Sequence, residues 1–156
     1  MLRAWAQVKA NADLVLVGPE GWNEDLDEHI GAARDRVKVL GFLPHGDLAP
    51  VYAGASVFCY PSFTEGFGLP VLEAMAQGTP VVTSSGTATE EIAEGAGLLV
   101  QPDDTASIAE AIELVLNDGE LAARLSHDGR ERAQRYSWDQ TAEKTLAAYR
   151  EVAWRK

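Results

Sequence analysis

Pro61-Ser62-Phe63-Thr64-Glu65-Gly66-Phe67-Gly68-Leu69-Pro70-Val71-Leu72-Glu73-Ala74-Met75-Ala76 is the stretch on which the reading of this chain turns. It follows an apolar run, Ala55-Ser56-Val57-Phe58-Cys59-Tyr60, that reads as a buried strand. It leads into helical spacing that stops at Gly78-Thr79-Pro80. The order is strand, glycine-bearing loop, first turn of a helix. A helix start exposes unpaired N–H groups and the positive end of the helix dipole, and both attract an anion such as phosphate. Gly66 and Gly68 remove side chains where a ligand would approach the backbone. Pro70 suits the first helical turn, where its missing N–H is no loss. Glu65 and Glu73 flank this start; neither favours a phosphate, but both accept hydrogen bonds from hydroxyls, which a sugar offers. A ligand with phosphates in its middle and hydroxylated rings on either side is a nucleotide sugar.

The totals agree with a single globular domain. The chain has 156 residues, 46% hydrophobic and 24% charged, enough for a proper core. A net charge of −11 argues against broad contact with nucleic acid or an anionic membrane, which attract basic patches. It leaves phosphate binding by local N–H groups open. Cys59 is the only cysteine, so no internal disulfide forms, and its apolar strand makes it a small buried hydrophobe. The three histidines are scattered without metal-ligand spacing. No stretch reads as a transmembrane span or signal peptide. The expected compartment is the cytoplasm, with room for a parent protein peripheral to a membrane.

In chain order, Leu2 to Lys9 reads as a short helix. Asp13-Leu14-Val15-Leu16-Val17-Gly18 reads as a central parallel strand ending in glycine, and a helix follows from Asn23 to Arg34. Val37–Gly41 is the next strand; Asp47 caps a helix that runs to Gly54. Strands at Val57–Tyr60, Val81–Ser84 and Gly97–Val100 alternate with helices at about Leu69–Gln77 and Thr89–Glu94. This alternation predicts an α/β fold, a Rossmann-like parallel sheet in three layers with helices on both faces. Ligands of such sheets gather outside the carboxyl ends of the strands, where the glycine loop begins. From about residue 105 to 156 the chain is helical only. One helix starts at Thr105, a second covers Leu121 to Arg135, and a third opens at the capping box Ser137-Trp138-Asp139-Gln140. Trp138, Ala142, Leu146, Tyr149 and Ala153 share a face of that last helix.

The string Pro61-Ser62-x-x-Glu65-Gly66-Phe67-Gly68-Leu69-Pro70-x-Leu72-Glu73-Ala74-Met75-Ala76-x-Gly78-x-Pro80-Val81-Val82 resembles the signature of the retaining glycosyltransferases of family 4. Val39-x-Gly41-Phe42, Tyr52-Ala53-Gly54-Ala55, Leu99-Val100-x-Pro102-Asp103-Asp104 and Ser137-Trp138 extend the resemblance over nearly the whole chain. It implies the GT-B architecture, two Rossmann-like domains facing each other across a cleft, of which this chain is the C-terminal, donor-binding one. It assigns Glu73 to the ribose hydroxyls and Glu65, the candidate catalytic residue, to the donor sugar. It gives the backbone amides of Gly66, Phe67 and Gly68 to the sugar and diphosphate, and places Leu69 near the ribose. Val39, Leu40, Gly41 and Phe42 lie against the base, and Gly18 ends a strand near the cleft. His45 reads as a solvated loop residue and Trp22 as packing. Glu90 and Glu91 match a glutamate-bearing loop of the family or serve a helix start.

The resemblance implies a metal-independent reaction with no cofactor; the partner is a nucleotide diphosphate sugar, whose base the sequence does not reveal. The basic loop that neutralises the diphosphate and the N-terminal domain that supplies the acceptor are not in this sequence. The chain by itself is therefore expected to be inactive, and its exposed cleft face to self-associate. The alternative is a non-catalytic module holding a nucleotide or sugar phosphate for a partner. A dinucleotide-binding dehydrogenase needs a Gly-x-Gly-x-x-Gly loop after the first strand, which Gly18-Pro19-Glu20-Gly21 does not supply.

Overall fold

The structure, a computed structural model, describes residues 1–19 and 31–153. Among these residues five short strands form: β1 (Leu14–Val17), β2 (Val37–Gly41), β3 (Phe58–Tyr60), β4 (Val81–Ser84) and β5 (Leu98–Val100). All pairings are parallel, β1 with β2 and β3-β4-β5 in that order. Parallel neighbours need a crossover. Helices supply it: α2 (His45–Gly54) joins β2 to β3, α3 (Leu69–Ala76) joins β3 to β4, and α4 (Ala88–Ala93) joins β4 to β5. A short α1 (Leu2–Trp5) precedes them, and α5 (Thr105–Asn117), α6 (Gly119–Ala133) and α7 (Trp138–Ala153) close the chain. This is the α/β parallel-sheet arrangement that the alternation predicts, with flanking helices and a helical C-terminal extension.

Several local expectations change. The strands form two ladders rather than one; β3 has three residues, and all of them pair with Val81–Thr83 of β4. One core spans both ladders, with Trp5, Val8, Val82, Val100, Ile108 and Ile112 among its buried members. The strand buried throughout is β4, whereas β1 alternates, leaving Val15 and Val17 exposed. Asp47 does not cap α2. The extended backbone of Pro44 caps that helix three residues earlier, and the Asp47 N–H donates to the Pro44 carbonyl at 2.9 Å. Asp118 likewise starts α6 earlier than expected, accepting from the N–H groups of Glu120 and Leu121 at 3.1 and 2.9 Å. The helix expected over Asn23–Arg34 lies mostly outside the described residues; Gly31–Arg36 forms a 3₁₀ turn. Trp22 lies outside them too.

The helix that opens after the glycine loop is the best anchored. Val71, Ala74 and Met75 of α3 are fully buried, and Met75 packs on Gly129 of α6, with Ala133 in the same cluster. Arg130 of α6 donates to the Gln77 carbonyl at 3.2 Å, tying down the other end of α3. Cys59 packs against the core, and burial pushes its thiol up to about 12, slightly opposed by the N-terminal ammonium. It is a structural cysteine. The last helix differs: none of the described residues of α7 is buried, and Trp138 is 78% exposed. Among the described residues no helix is long and apolar enough to cross a membrane.

The two loop glycines separate at this level. Gly68 has φ +98°, and a Cβ there would stand 2.7 Å from Cγ2 of buried Thr89 on α4. At Gly66 a Cβ would meet nothing within 4 Å. Gly68→Ala is therefore expected to cost about 1–3 kcal/mol in denaturant unfolding. Gly66→Ala should stay within about 0.5 kcal/mol. Equal effects would refute this division.

Candidate functional site

The carboxyl end of β3 feeds the glycine loop and the start of α3, while the carboxyl ends of β1 and β2 pair with each other in the other ladder. Gly18, just past β1, donates its N–H to the Gly41 carbonyl at the end of β2 at 2.9 Å, so these two expected site residues sit side by side. Beyond them Val39, Leu40 and Phe42 are exposed, Phe42 by 73%. In the glycine loop and the first turn of α3, Phe67 and Leu69 also keep large apolar surfaces open. Exposed rings and aliphatic chains at strand ends cost stability unless they meet something.

Gly68 is the N-cap of α3, and its carbonyl accepts from Val71 and Leu72 at 3.0 and 3.3 Å. Among the described residues no hydrogen bond uses the N–H of Gly66, Phe67 or Gly68. These amides and the first turn of α3 form the positive end of a helix anchored along its length.

The two glutamates are each held by a tyrosine. Tyr60, the last residue of β3, donates its hydroxyl to Oε1 of Glu65 at 2.7 Å. Tyr52 of α2 donates to Oε2 of Glu73 at 3.2 Å. Phe58 links the two tyrosines, edge-on to Tyr52 at 5.2 Å and stacked on Tyr60 at 5.8 Å. Burial, then the Glu65 hydrogen bond and charge, push the Tyr60 phenol up to about 12. Burial first, then Glu73, do the same for Tyr52. Both hydroxyls therefore remain proton donors at any physiological pH. Each carboxylate keeps its second oxygen for another donor.

His45 begins α2 instead of lying in a loop, and its Nδ1 stands 4.0 Å from Oε1 of Glu73. His45, Leu48, Tyr52 and Glu73 line a hollow of about 160 Å³. A larger hollow, about 650 Å³, lies at the opposite ends of the strands against Ala12, Ser56 and Pro80. It has no titratable side chain, and of the expected site residues only Glu73 lines either hollow. Glu90 accepts from the Gly86 N–H at 2.5 Å, the helix-start role rather than an open loop. The backbone carbonyl of Glu91 accepts from Arg132. Among the described residues no three His, Cys, Asp or Glu side chains gather as a metal site would require.

Sequence reasoning grouped Glu65, Glu73, the glycine loop and the Val39–Phe42 strand end in one site; the structure sets Glu65, the glycine loop and Glu73 around the start of α3, and Val39–Phe42 beside Gly18 at the end of the other ladder. It missed Tyr60, Tyr52 and His45. The signal for Tyr60 was its place as the last residue of a strand that feeds the loop. Tyr52 stands in the family-like run Tyr52-Ala53-Gly54-Ala55, but nothing there marks its partner, 21 residues away.

Three proteins show what the chain is similar to. O-antigen chain mannosyltransferase B of Escherichia coli is 38% identical over 140 residues, 88% of this chain and 37% of that protein. Sucrose-phosphate synthase of Thermosynechococcus elongatus superposes with a TM-score of 0.84 at 34% identity, over 99% of this chain and 42% of its own. The Anabaena protein Alr3699/HepE, solved in complex with UDP-glucose, superposes with a TM-score of 0.83 at 27% identity, over 94% of this chain and 44% of its own. The chain thus spans about two fifths of the length of the proteins it matches. These neighbours share the GT-B fold that the resemblance implies, and this chain corresponds to part of it. A family model described as glycosyl transferases group 1 matches residues 1–118, and this chain belongs to that family of glycosyltransferases.

Proposed function

We propose that this chain is the donor-binding domain of a retaining glycosyltransferase of family 4. The whole protein moves a sugar from a nucleoside diphosphate sugar to a hydroxyl acceptor. The observation that carries this reading is the pair Glu65 and Glu73, on either side of the start of α3, each oriented by a tyrosine hydroxyl. Two fixed acceptors, with open amides between them, match a ligand carrying a hydroxylated ring at each end of a diphosphate. HepE, in complex with UDP-glucose, supports such a ligand.

In this reading Glu73 accepts the ribose hydroxyls and Glu65 those of the transferred sugar. The amides of Gly66, Phe67 and Gly68 and the α3 dipole take the diphosphate. Val39, Leu40, Gly41 and Phe42 form the wall for the base, Leu69 packs near the ribose, and Gly18 supports that wall through Gly41. Bond breaking sends the C1–O electron pair to the diphosphate, leaving an oxocarbenium-like sugar and a nucleoside diphosphate with one more negative charge than the donor carried. Preorganised donors aimed at that charge lower the barrier, commonly by several kcal/mol. Departure and attack occur on the same face, which retains the anomeric configuration without a covalent Glu65 intermediate or a metal. A second domain supplies the acceptor, and the isolated chain binds donor without turning it over. The lone cysteine suits a reducing compartment, and the reading places the domain in the cytoplasm.

Thermal unfolding with UDP, GDP, ADP and TDP tests the donor site. A nucleotide at a hundred times its dissociation constant should add about 2.7 kcal/mol, and Glu73→Ala should abolish that gain. Stabilisation by none of the four rejects the reading. The exposed apolar groups of the cleft wall and α7 meet the second domain in the whole protein, so without it the chain is expected to self-associate. A sedimentation mass that stays monomeric at all concentrations would count against this.

A further inference from the structure

Glu65 sits in a loop whose neighbours Thr64 and Gly66 are exposed, so the loop alone does not determine where its carboxylate points. Its direction comes from the sheet. Tyr60 pairs with Thr83 of the buried strand β4, and the Thr83 hydroxyl donates to the Tyr60 carbonyl at 2.9 Å. The Tyr60 ring lies 15° from parallel to Phe58, which fixes the path of its hydroxyl. A phenol has one proton to donate, and here it goes to Oε1 of Glu65. The lone pairs of Oε2 are left for a ligand.

We propose that Tyr60 is a positioning residue, whose hydroxyl holds one oxygen of Glu65 and turns the other toward the hydroxyls of the transferred sugar. Tyr52 stands in the same relation to Glu73, on the nucleotide side. This inference rests on the donor-site reading above and adds a division of labour to it. Loss of the Tyr60 hydroxyl acts on the sugar only, and loss of the Tyr52 hydroxyl on the nucleotide itself. A merely structural tyrosine would weaken both ligands alike.

The test is calorimetric titration of the chain with UDP and with UDP-glucose, or with the stabilising nucleotide and its hexose ester if another base is preferred. Tyr60→Phe keeps the ring against Phe58, and is expected to bind UDP as the unaltered chain does and UDP-glucose about tenfold more weakly, the loss of one charge-assisted hydrogen bond. Tyr52→Phe should weaken both ligands by the same factor. Tyr60→Phe added to Glu65→Ala should cost nothing beyond Glu65→Ala alone, because Tyr60 acts on the sugar only through Glu65. Equal losses on UDP and UDP-glucose in Tyr60→Phe, no loss on either, or additive losses in the double variant overturn the inference while leaving the donor site intact. An unaltered chain that binds neither ligand overturns the donor-site reading and this inference with it.

A ligand-free measurement reads the same bond. Tyr60 faces Glu65, and Tyr52 faces Glu73 and Tyr60. In the folded chain these phenols, two of the four tyrosines, titrate near 12, against about 10 when unfolded. The stability they confer is complete below about pH 10 and is lost as pH rises through the folded value. Glu65→Gln removes a charge that holds the Tyr60 proton, so one late phenol should ionise earlier in a tyrosinate absorbance titration. An unchanged titration would mean that the bond is absent in solution, and the inference falls.

Discussion

The contact between Gly68 and Thr89 is the constraint on which the site depends. Thr89 is fully buried at the start of α4, where its hydroxyl interacts with Thr87 and donates to the Ser84 carbonyl at the end of β4. Gly68 lies directly on its methyl group, in a left-handed conformation. The first turn of α3 is therefore seated on the end of the central strand through one threonine. Any side chain at position 68 would lift that turn away from β4 and turn the amides and Glu73 with it.

The remainder of the site follows from how firmly α3 is held. Met75 on Gly129 and Arg130 on the Gln77 carbonyl make α6 a clamp along the helix. Further along α6, Arg132 reaches the backbone carbonyls of α4, and its guanidinium stands 6.0 Å from the ring of Tyr136, which meets Phe67 edge-on at 5.9 Å. The loop is thus braced from the helical extension on one side. On the other, Tyr52, Phe58 and Tyr60 carry the geometry of β3 and α2 to the two carboxylates. Preorganisation of this kind removes an entropy cost that binding would otherwise carry.

Much of this was legible in the sequence because it is local. A strand, two glycines, a proline at a helix start and two glutamates eight residues apart need no distant partner to be understood. Elsewhere local signals were overridden. Asp47 has a good capping side chain, yet the extended backbone of Pro44 starts the helix before it. The apolar run at β1 suggested a fully buried strand, while burial goes to β4, which has neighbours on both sides. Apolar composition states what can be buried, and topology decides which residues are.

By itself the sequence determined the alternating α/β plan, the place of the glycine loop and the two carboxylates, because those rest on backbone preferences within about twenty residues. Only the tertiary structure decided what orients them. Tyr60 reaches Glu65 because β4 and Phe58 hold its ring, and Tyr52 reaches Glu73 because α2 packs against α3. The two glycines, alike in the sequence, part company for the same reason: Gly68 is packed on another helix and Gly66 faces open space. A hydrogen bond or a steric limit between distant residues exists only once packing brings them together.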